Sequence, residues 1–298
     1  MTEPAPRRIG VVARERQEGL DRLLDQVRRA TEARGMEVRF ERAIADYTPG
    51  AVALDLDAEP VDLILTLGGD GTLLRAARMV MPYQIPLLGL NLGNLGFLTS
   101  GGAGDLETVL DSLVAGDYFL DHRVTLKAWV LDQHGAEVDE HHALNDFVIH
   151  KAAVAARVTR LELSVEGGQR REEIGSFTGD GVILASPTGS TAYSVSAGGP
   201  IVHPQMECMV VTPICPHTLA VRPLVIPATR KITVRAADPD QDLILTVDGQ
   251  EVRGLGSGEA VRVERGDHEI RLVRFTGQTF FSTLRRKMAW AARANDGP

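Results

Sequence analysis

The apolar residues of this chain follow two rhythms, and the change from one to the other near Asp121 divides it. Before that point "RRIGVVAR" reads as a buried strand. "GLDRLLDQVRRATEARG" then repeats apolar residues at Leu20, Leu23, Leu24 and Val27 before Gly35, the pattern of an amphipathic helix with a glycine stop. A strand "MEVRF" follows. Two further strand-helix units are "VDLILTLGG" with "TLLRAARMV", and "IPLLGLNLG" with "DLETVLDSLVAG", where Leu106, Val109, Leu110 and Leu113 share one helical face. Alternating strands and helices predict a mostly parallel sheet, a Rossmann-like α/β domain over 1–121.

Beyond Asp121, "RVTLKAWVLD", "RVTRLELSVEG", "KITVRAA", "DLILTVDGQEV" and "EAVRVERGDHEIRLVRF" alternate apolar and polar positions between Gly and Asp turns. They predict a β-rich, sandwich-like domain over 122–275. The tail "TFFSTLRRKMAWAARA" returns to helical spacing, so 276–298 is expected to pack back at the domain boundary or on the first domain.

Bulk properties narrow the function classes. A chain of 298 residues that is 44% hydrophobic can bury two cores. Its net charge of −8, with basic residues interspersed among acids, argues against nucleic acid and against a polybasic membrane anchor. Cys208 and Cys215 are the only cysteines, too few for a disulfide framework and without zinc spacing. The start "MTEPAPRRIGVVARERQ" has no apolar run suited to a signal peptide, so a cytoplasmic protein is expected. No formal charge falls between Gly181 and Met206, but Gly, Ser, Thr and Pro crowd that segment and rule out a membrane helix.

Four stretches carry candidate chemistry. In "GGDGT", Gly68, Gly69 and Gly71 leave bare backbone around Asp70 at the head of a helix, where N–H groups receive anions. A carboxylate repels phosphate, so either the turn does not hold a phosphate or Asp70 faces a metal ion or a reacting hydroxyl. Taken alone, the turn reads more readily as an ordinary strand-to-helix corner capped by Asp70. It lacks the ending of a Walker loop and does not fit the dinucleotide fingerprint. "NLGNLGFLT" follows the next strand, so both turns would lie at carboxyl ends of an open sheet, where ligands bind; the plain alternative is close packing at Gly93 and Gly96. "GDGVILASPTGSTAYSVSAGGP" offers hydroxyls and bare backbone to an anion without adding carboxylates beyond Asp180, or else is a loop. In "ALNDFVIHK", Asn145 and Asp146 interrupt an apolar strand; they suit ribose hydroxyls or an adenine edge, and equally a β-bulge.

These four, with "TPICPHTLAVRPLVIP", "VDGQ" and "FFSTLRRKMAW", run from Gly68 to Trp290 in an order that resembles the bacterial NAD kinases. "GGDGT" by itself is also similar to lipid kinases and phosphofructokinases, whereas "PTGSTAYSVSAGGP" is far more specific. The resemblance implies transfer of the γ-phosphoryl of ATP, or of a polyphosphate terminus, to the 2′-hydroxyl of the adenosine ribose of NAD, giving NADP with the help of Mg²⁺. On that resemblance Asp70 is the proton acceptor and Gly71 belongs to the same contact, while Arg75 reaches a phosphate or the nicotinamide side. Asn145 and Asp146 bind adenosine. Arg157, Asp180, Thr191, Ala192, Tyr193, Ser194, Val195, Ser196 and Gln250 match NAD-contacting positions. Thr178 stands where many members carry Arg or Lys, and joins the expected set without that charge. His217 matches a position near the active site, with no dedicated metal site expected. The family also implies a homo-oligomer, a tetramer or dimer. Competing readings are a lipid kinase, against which no membrane-docking segment is visible, and a non-catalytic dinucleotide sensor, against which Asp70 is intact.

Overall fold

The computed structural model describes residues 4–15, 17–93, 96–152, 159–167, 170–239 and 241–288. They form two compact units, Met1–His122 with Ile270–Pro298, and Arg123–Glu269.

In the first unit, strands β1 (Arg8–Ala13), β2 (Glu37–Phe40), β3 (Leu63–Leu67) and β4 (Leu87–Asn91) pair in parallel in the order β2-β1-β3-β4. The runs "LILTL" and "LLGLN" are buried at every residue, as strands covered on both faces must be. Helices α1 (Leu20–Glu32) and α4 (Leu106–Ala115) close one face: Leu24 and Val27 of α1 and Leu106, Leu110 and Leu113 of α4 share one core with Leu63, Leu65, Leu67, Leu88 and Leu90. Helix α3 (Asp70–Val80) follows β3 directly, and its buried Leu73 packs against Gly89 of β4. A short α2 (Arg42–Ala45) and β5 (Gly101–Gly102), which pairs with the end of β4, complete the frame.

The chain enters the second unit within β6 (Phe119–Leu131) and leaves it within β17 (Ala260–Arg274), between Glu269 and Ile270. That unit is a sandwich of antiparallel strands. One sheet runs β13 (Leu224–Pro227), β12 (Cys208–Ile214), β11 (Gly181–Ala185), β8 (Asp146–Lys151), β15 (Leu243–Val247), β16 (Glu251–Leu255). The other pairs β10 (Arg170–Gly179), β9 (Thr159–Gly167), β14 (Lys231–Ala236) and β17, with β6 and β7 (Glu137–Ala143) alongside. Phe147, Val182, Met209 and Leu245 of the first sheet meet Leu126, Leu161, Ile232 and Val261 of the second in one buried core, so each strand's period-two pattern has its apolar side inward. Between β11 and β12 the chain makes one 3-10 turn, Gly189–Thr191, and the short helix α5 (Tyr193–Ser196).

The tail forms α6 (Phe280–Met288), which belongs to the first unit; Ala289 and Trp290 of the closing motif lie outside the described residues. Among the described residues no helix is long and apolar enough to cross a membrane. The α/β expectation for the first part and the β-sandwich expectation for the second both hold.

Candidate active site

The Asp70 carboxylate reaches across to the neighbouring turn. It accepts the backbone N–H of Phe97 at 2.9 Å and of Leu98 at 3.1 Å, both in the second glycine-rich turn. The two turns are therefore one structure, stitched by a carboxylate across the ends of β3 and β4. Gly96 makes room for it: a Cβ there would lie 1.8 Å from the Asp70 Oδ1. Asp70 is half-buried, and since a carboxylate offers about four acceptor positions, two N–H bonds leave capacity for a further partner. Gly71 beside it is exposed.

A cavity of about 640 Å³ opens at the carboxyl ends of β1, β3 and β4, lined by Gly68, Gly69, Asn91, Leu92, Gly93 and the side chains of Arg14, Glu15 and Gln17. This is where an open α/β sheet takes ligands. Arg75 does not line it. Its guanidinium pairs with Glu41 and donates to the Ala13 carbonyl at 2.9 Å, so the expected phosphate or nicotinamide contact is engaged within the protein.

The second unit holds its own cavity, of about 580 Å³. Of the residues expected to bind dinucleotide, Asn145, Asp146, Asp180, Ala192 and Tyr193 line it. Asn145 does not interrupt a strand. It sits in the link after β7, and Asp146 opens β8. The backbone of this corner is held from both sides. The Leu144 carbonyl accepts from Ser186 Oγ at 2.5 Å and the Asn145 carbonyl from Ser186 N–H at 2.8 Å. The N–H groups of Leu144, Asn145 and Asp146 all donate to the carboxylate of Asp248, at 3.1, 2.7 and 3.2 Å. Gly189 packs so close beneath that a Cβ would lie 2.1 Å from the Asn145 oxygen.

Asp248 is a site residue that sequence reasoning passed over. It sits in "VDGQ" in a left-handed conformation, φ 49°, which a short polar side chain tolerates, and it is 6% exposed. The Asp-Gly pair was a visible turn signal, but nothing local indicates that its carboxylate reaches back about a hundred positions to three N–H groups. Asp146, 4% exposed, has its carboxyl pushed up to about 7, chiefly by burial and further by the charge of Asp248. A carboxyl poised there can accept or donate a hydrogen bond near neutral pH.

At the other end of β8, Lys151 Nζ pairs with Asp180 at 2.8 Å and holds that carboxyl below its usual range. Nothing in residue type or spacing marks Lys151, the last residue of "ALNDFVIHK", as a site residue; His150, Cys215 and Thr246 line the same cavity.

Other expected contacts are elsewhere. Ser194 is fully buried with its hydroxyl 2.8 Å from that of Thr212, which makes it part of the packing. Thr191 Oγ1 donates to the Thr188 carbonyl at 3.2 Å. Val195, Ser196, Thr178 and Gln250 do not line the cavity; the Thr178 carbonyl accepts the His217 N–H at 2.9 Å, and the Gln250 N–H bonds Val247. Arg157 lies outside the described residues.

With this geometry in view, the likenesses to known proteins are specific. Residues 9–118 match the ATP-NAD kinase N-terminal domain and residues 144–275 the ATP-NAD kinase C-terminal domain. The NAD kinase of Gemmatimonas aurantiaca is 43% identical over 95% of this chain and 96% of its own length, and that of Geobacter sulfurreducens 43% over 88% and 91%. Among solved structures, yeast NADH kinase complexed with NADH shares the fold, with a TM-score of 0.86 at 24% identity over 98% of this chain and 90% of that one. An NAD kinase from Archaeoglobus fulgidus in complex with ATP has a TM-score of 0.72 at 26% identity over 95% and 98%. Matched along both units by these models and along almost its whole length by these relatives, the chain belongs to the NAD kinase family.

Proposed function

We propose that the protein transfers the terminal phosphoryl group of ATP to the 2′-hydroxyl of the adenosine ribose of NAD, producing NADP. Family membership supports the overall reaction, and the observation that carries the chemistry is the Asp70 carboxylate, fixed by two N–H groups of a neighbouring turn and open to a third partner. In this reading Asp70 orients the ribose hydroxyl and takes its proton, while bare backbone at Gly68, Gly69 and Gly93 receives phosphate oxygens. The transferring phosphoryl passes through a loose transition state, so positioning is the larger task.

Asn145 and Asp146 would bind adenosine. Their backbone is locked by Ser186 and Asp248, so the side chains present fixed donors and acceptors. Tyr193, 47% exposed at the cavity, offers a ring face for a base. Gly71 would stand in the Asp70 contact, and Thr178, Asp180, Thr191, Ala192, Val195, Ser196 and Gln250 in or around the dinucleotide site.

Among the described residues no three His, Cys, Asp or Glu side chains gather into a metal-holding group. Mg²⁺ needs no such group, because it keeps several waters and binds largely through substrate phosphates. When bound with ATP, Mg²⁺ neutralises phosphate charge. Polyphosphate as an alternative donor, a homo-oligomer of two or four copies, and a cytoplasmic location complete the proposal; Cys208 and Cys215 are free thiols, which suits a reducing compartment.

The test is direct. The protein incubated with NAD, ATP and Mg²⁺ should form NADP, and should leave diacylglycerol and fructose 6-phosphate unphosphorylated, since donors left unpaired penalise ligands that lack the matching groups. Comparable turnover of a lipid, or no NADP from folded protein, would overturn the reading.

A further inference from the structure

The cavity of the second unit has an electrostatic imbalance that the proposed ligand makes worse. Asp146, Asp180 and Asp248 all line it, and among the described lining residues Lys151 is the one Lys or Arg. A dinucleotide brings two more negative charges in its pyrophosphate. Burying those beside the carboxylates of Asp180 and Asp248 without a cation would be strongly unfavourable.

We infer that Lys151 is the pyrophosphate contact of the bound dinucleotide, a role that rests on the proposed NAD site. Three observations carry it. Asn145 and Asp146 stand at one end of β8 and Lys151 at the other, so Lys151 lies along the cavity from the adenosine end. The lysine side chain remains 31% exposed at the cavity, so its head is reachable. Its present partner, Asp180, is 40% exposed, and half-exposed pairs of this kind are weak. An ammonium has three donors, so Lys151 can keep Asp180 and still donate to a phosphate oxygen. His150, the next residue, cannot compete for that role as arranged, because its ring nitrogens already face the Lys151 carbonyl and Thr246 Oγ1.

The test compares a ligand that has the pyrophosphate with one that lacks it. Calorimetric binding of NAD and of adenosine to the wild type and to Lys151→Gln reads binding alone, so it stands even if wild type binds NAD without making NADP, which would defeat the proposed function instead. NAD should bind about tenfold more weakly to Lys151→Gln at low salt, the size expected for one partly exposed charge-assisted hydrogen bond, while adenosine binding stays within twofold. Lys151→Arg should restore most of the NAD affinity, and the salt dependence of NAD binding should be shallower in Lys151→Gln. Placed on an Asp180→Asn background, Lys151→Gln should still weaken NAD binding by about the same factor. An unchanged NAD affinity, an equal loss for NAD and adenosine, or no further loss once Asp180 is replaced would each overturn the assignment, the last by showing that Lys151 acts only through Asp180.

Discussion

Asp70 opens helix α3 and Asp146 opens strand β8, and their surroundings ask opposite things of the two carboxyl groups. Asp70 is half-buried and its carboxyl accepts two backbone N–H groups, which fix its position. Asp70→Asn keeps the shape but cannot take a proton, so it should fold and bind NAD while kcat falls; a positioned base is worth roughly 10²- to 10⁴-fold, and a loose transition state favours the lower end. A kcat within about threefold of wild type would assign Asp70 to holding the turn alone. Asp146 is buried, with its carboxyl raised to about 7 in the folded protein from 3.8. Below pH 4 both folded and unfolded chains hold this proton. Between about 4 and 7 the unfolded chain releases it and the folded one does not, so this group lowers stability as pH rises; above 7 the penalty is constant. Compared by urea denaturation, Asp146→Asn should gain on wild type across that window by up to ~4 kcal/mol. A difference that stays flat with pH would refute the buried-carboxyl account.

At the scale of elements, both glycine-rich segments are bare because a site residue fills the space. Gly96 lies against the Asp70 carboxylate and Gly189 against the Asn145 backbone. Gly96→Ala puts a methyl where Asp70 Oδ1 stands, and the side chain must swing off its two N–H partners. Overpacking of this kind costs about 1–3 kcal/mol, and a 1 Å displacement of a reacting group costs on the order of 10²-fold in rate. Thermal unfolding should therefore show a modest loss of Tm and the assay a large loss of kcat. Activity close to wild type would mean that the turn can open without moving Asp70. Arg75 shows the same scale from another side: one helical turn from Asp70 on α3, it is turned to Glu41 and the Ala13 carbonyl by the neighbouring β1 and α2 segments.

For the molecule as a whole, the exposed apolar residues of the second unit point to self-association. Leu224 and Val225 on edge strand β13, and Val252 on edge strand β16 at the opposite side of the same sheet, are 39%, 48% and 70% exposed. Open edges with apolar residues invite pairing unless a second copy covers them. Light scattering should return a multiple of the 32.2 kDa chain mass, and Val225→Lys should shift it toward the single chain. A monomer at assay concentration, with full activity, would defeat the oligomer.

How much of this was written in the chain follows from the range of the forces involved. Periodicity is local, so the parallel sheet of the first unit and the antiparallel strands of the second could be read from Leu63–Leu67 or Lys231–Ala236 directly, each apolar pattern matching the faces it buries. The glycine-rich turns and Asp70 were legible for the same reason, and their order along the chain carried the family. Hydrogen bonds across long separations leave no such trace. The carboxylate of Asp248 on three N–H groups of the 144–146 corner, the burial that shifts Asp146, and the pairing of Lys151 with Asp180 just before β11 exist only once β8, β11 and β15 lie side by side. The same holds for Ser194, whose place in a Ser/Thr-rich motif suggested a ligand contact and whose hydroxyl is instead turned inward to Thr212. Residue type and spacing determined which groups were available; the tertiary structure decided which of them line a cavity and which are engaged within the protein, because burial and partner geometry are properties of the packed chain.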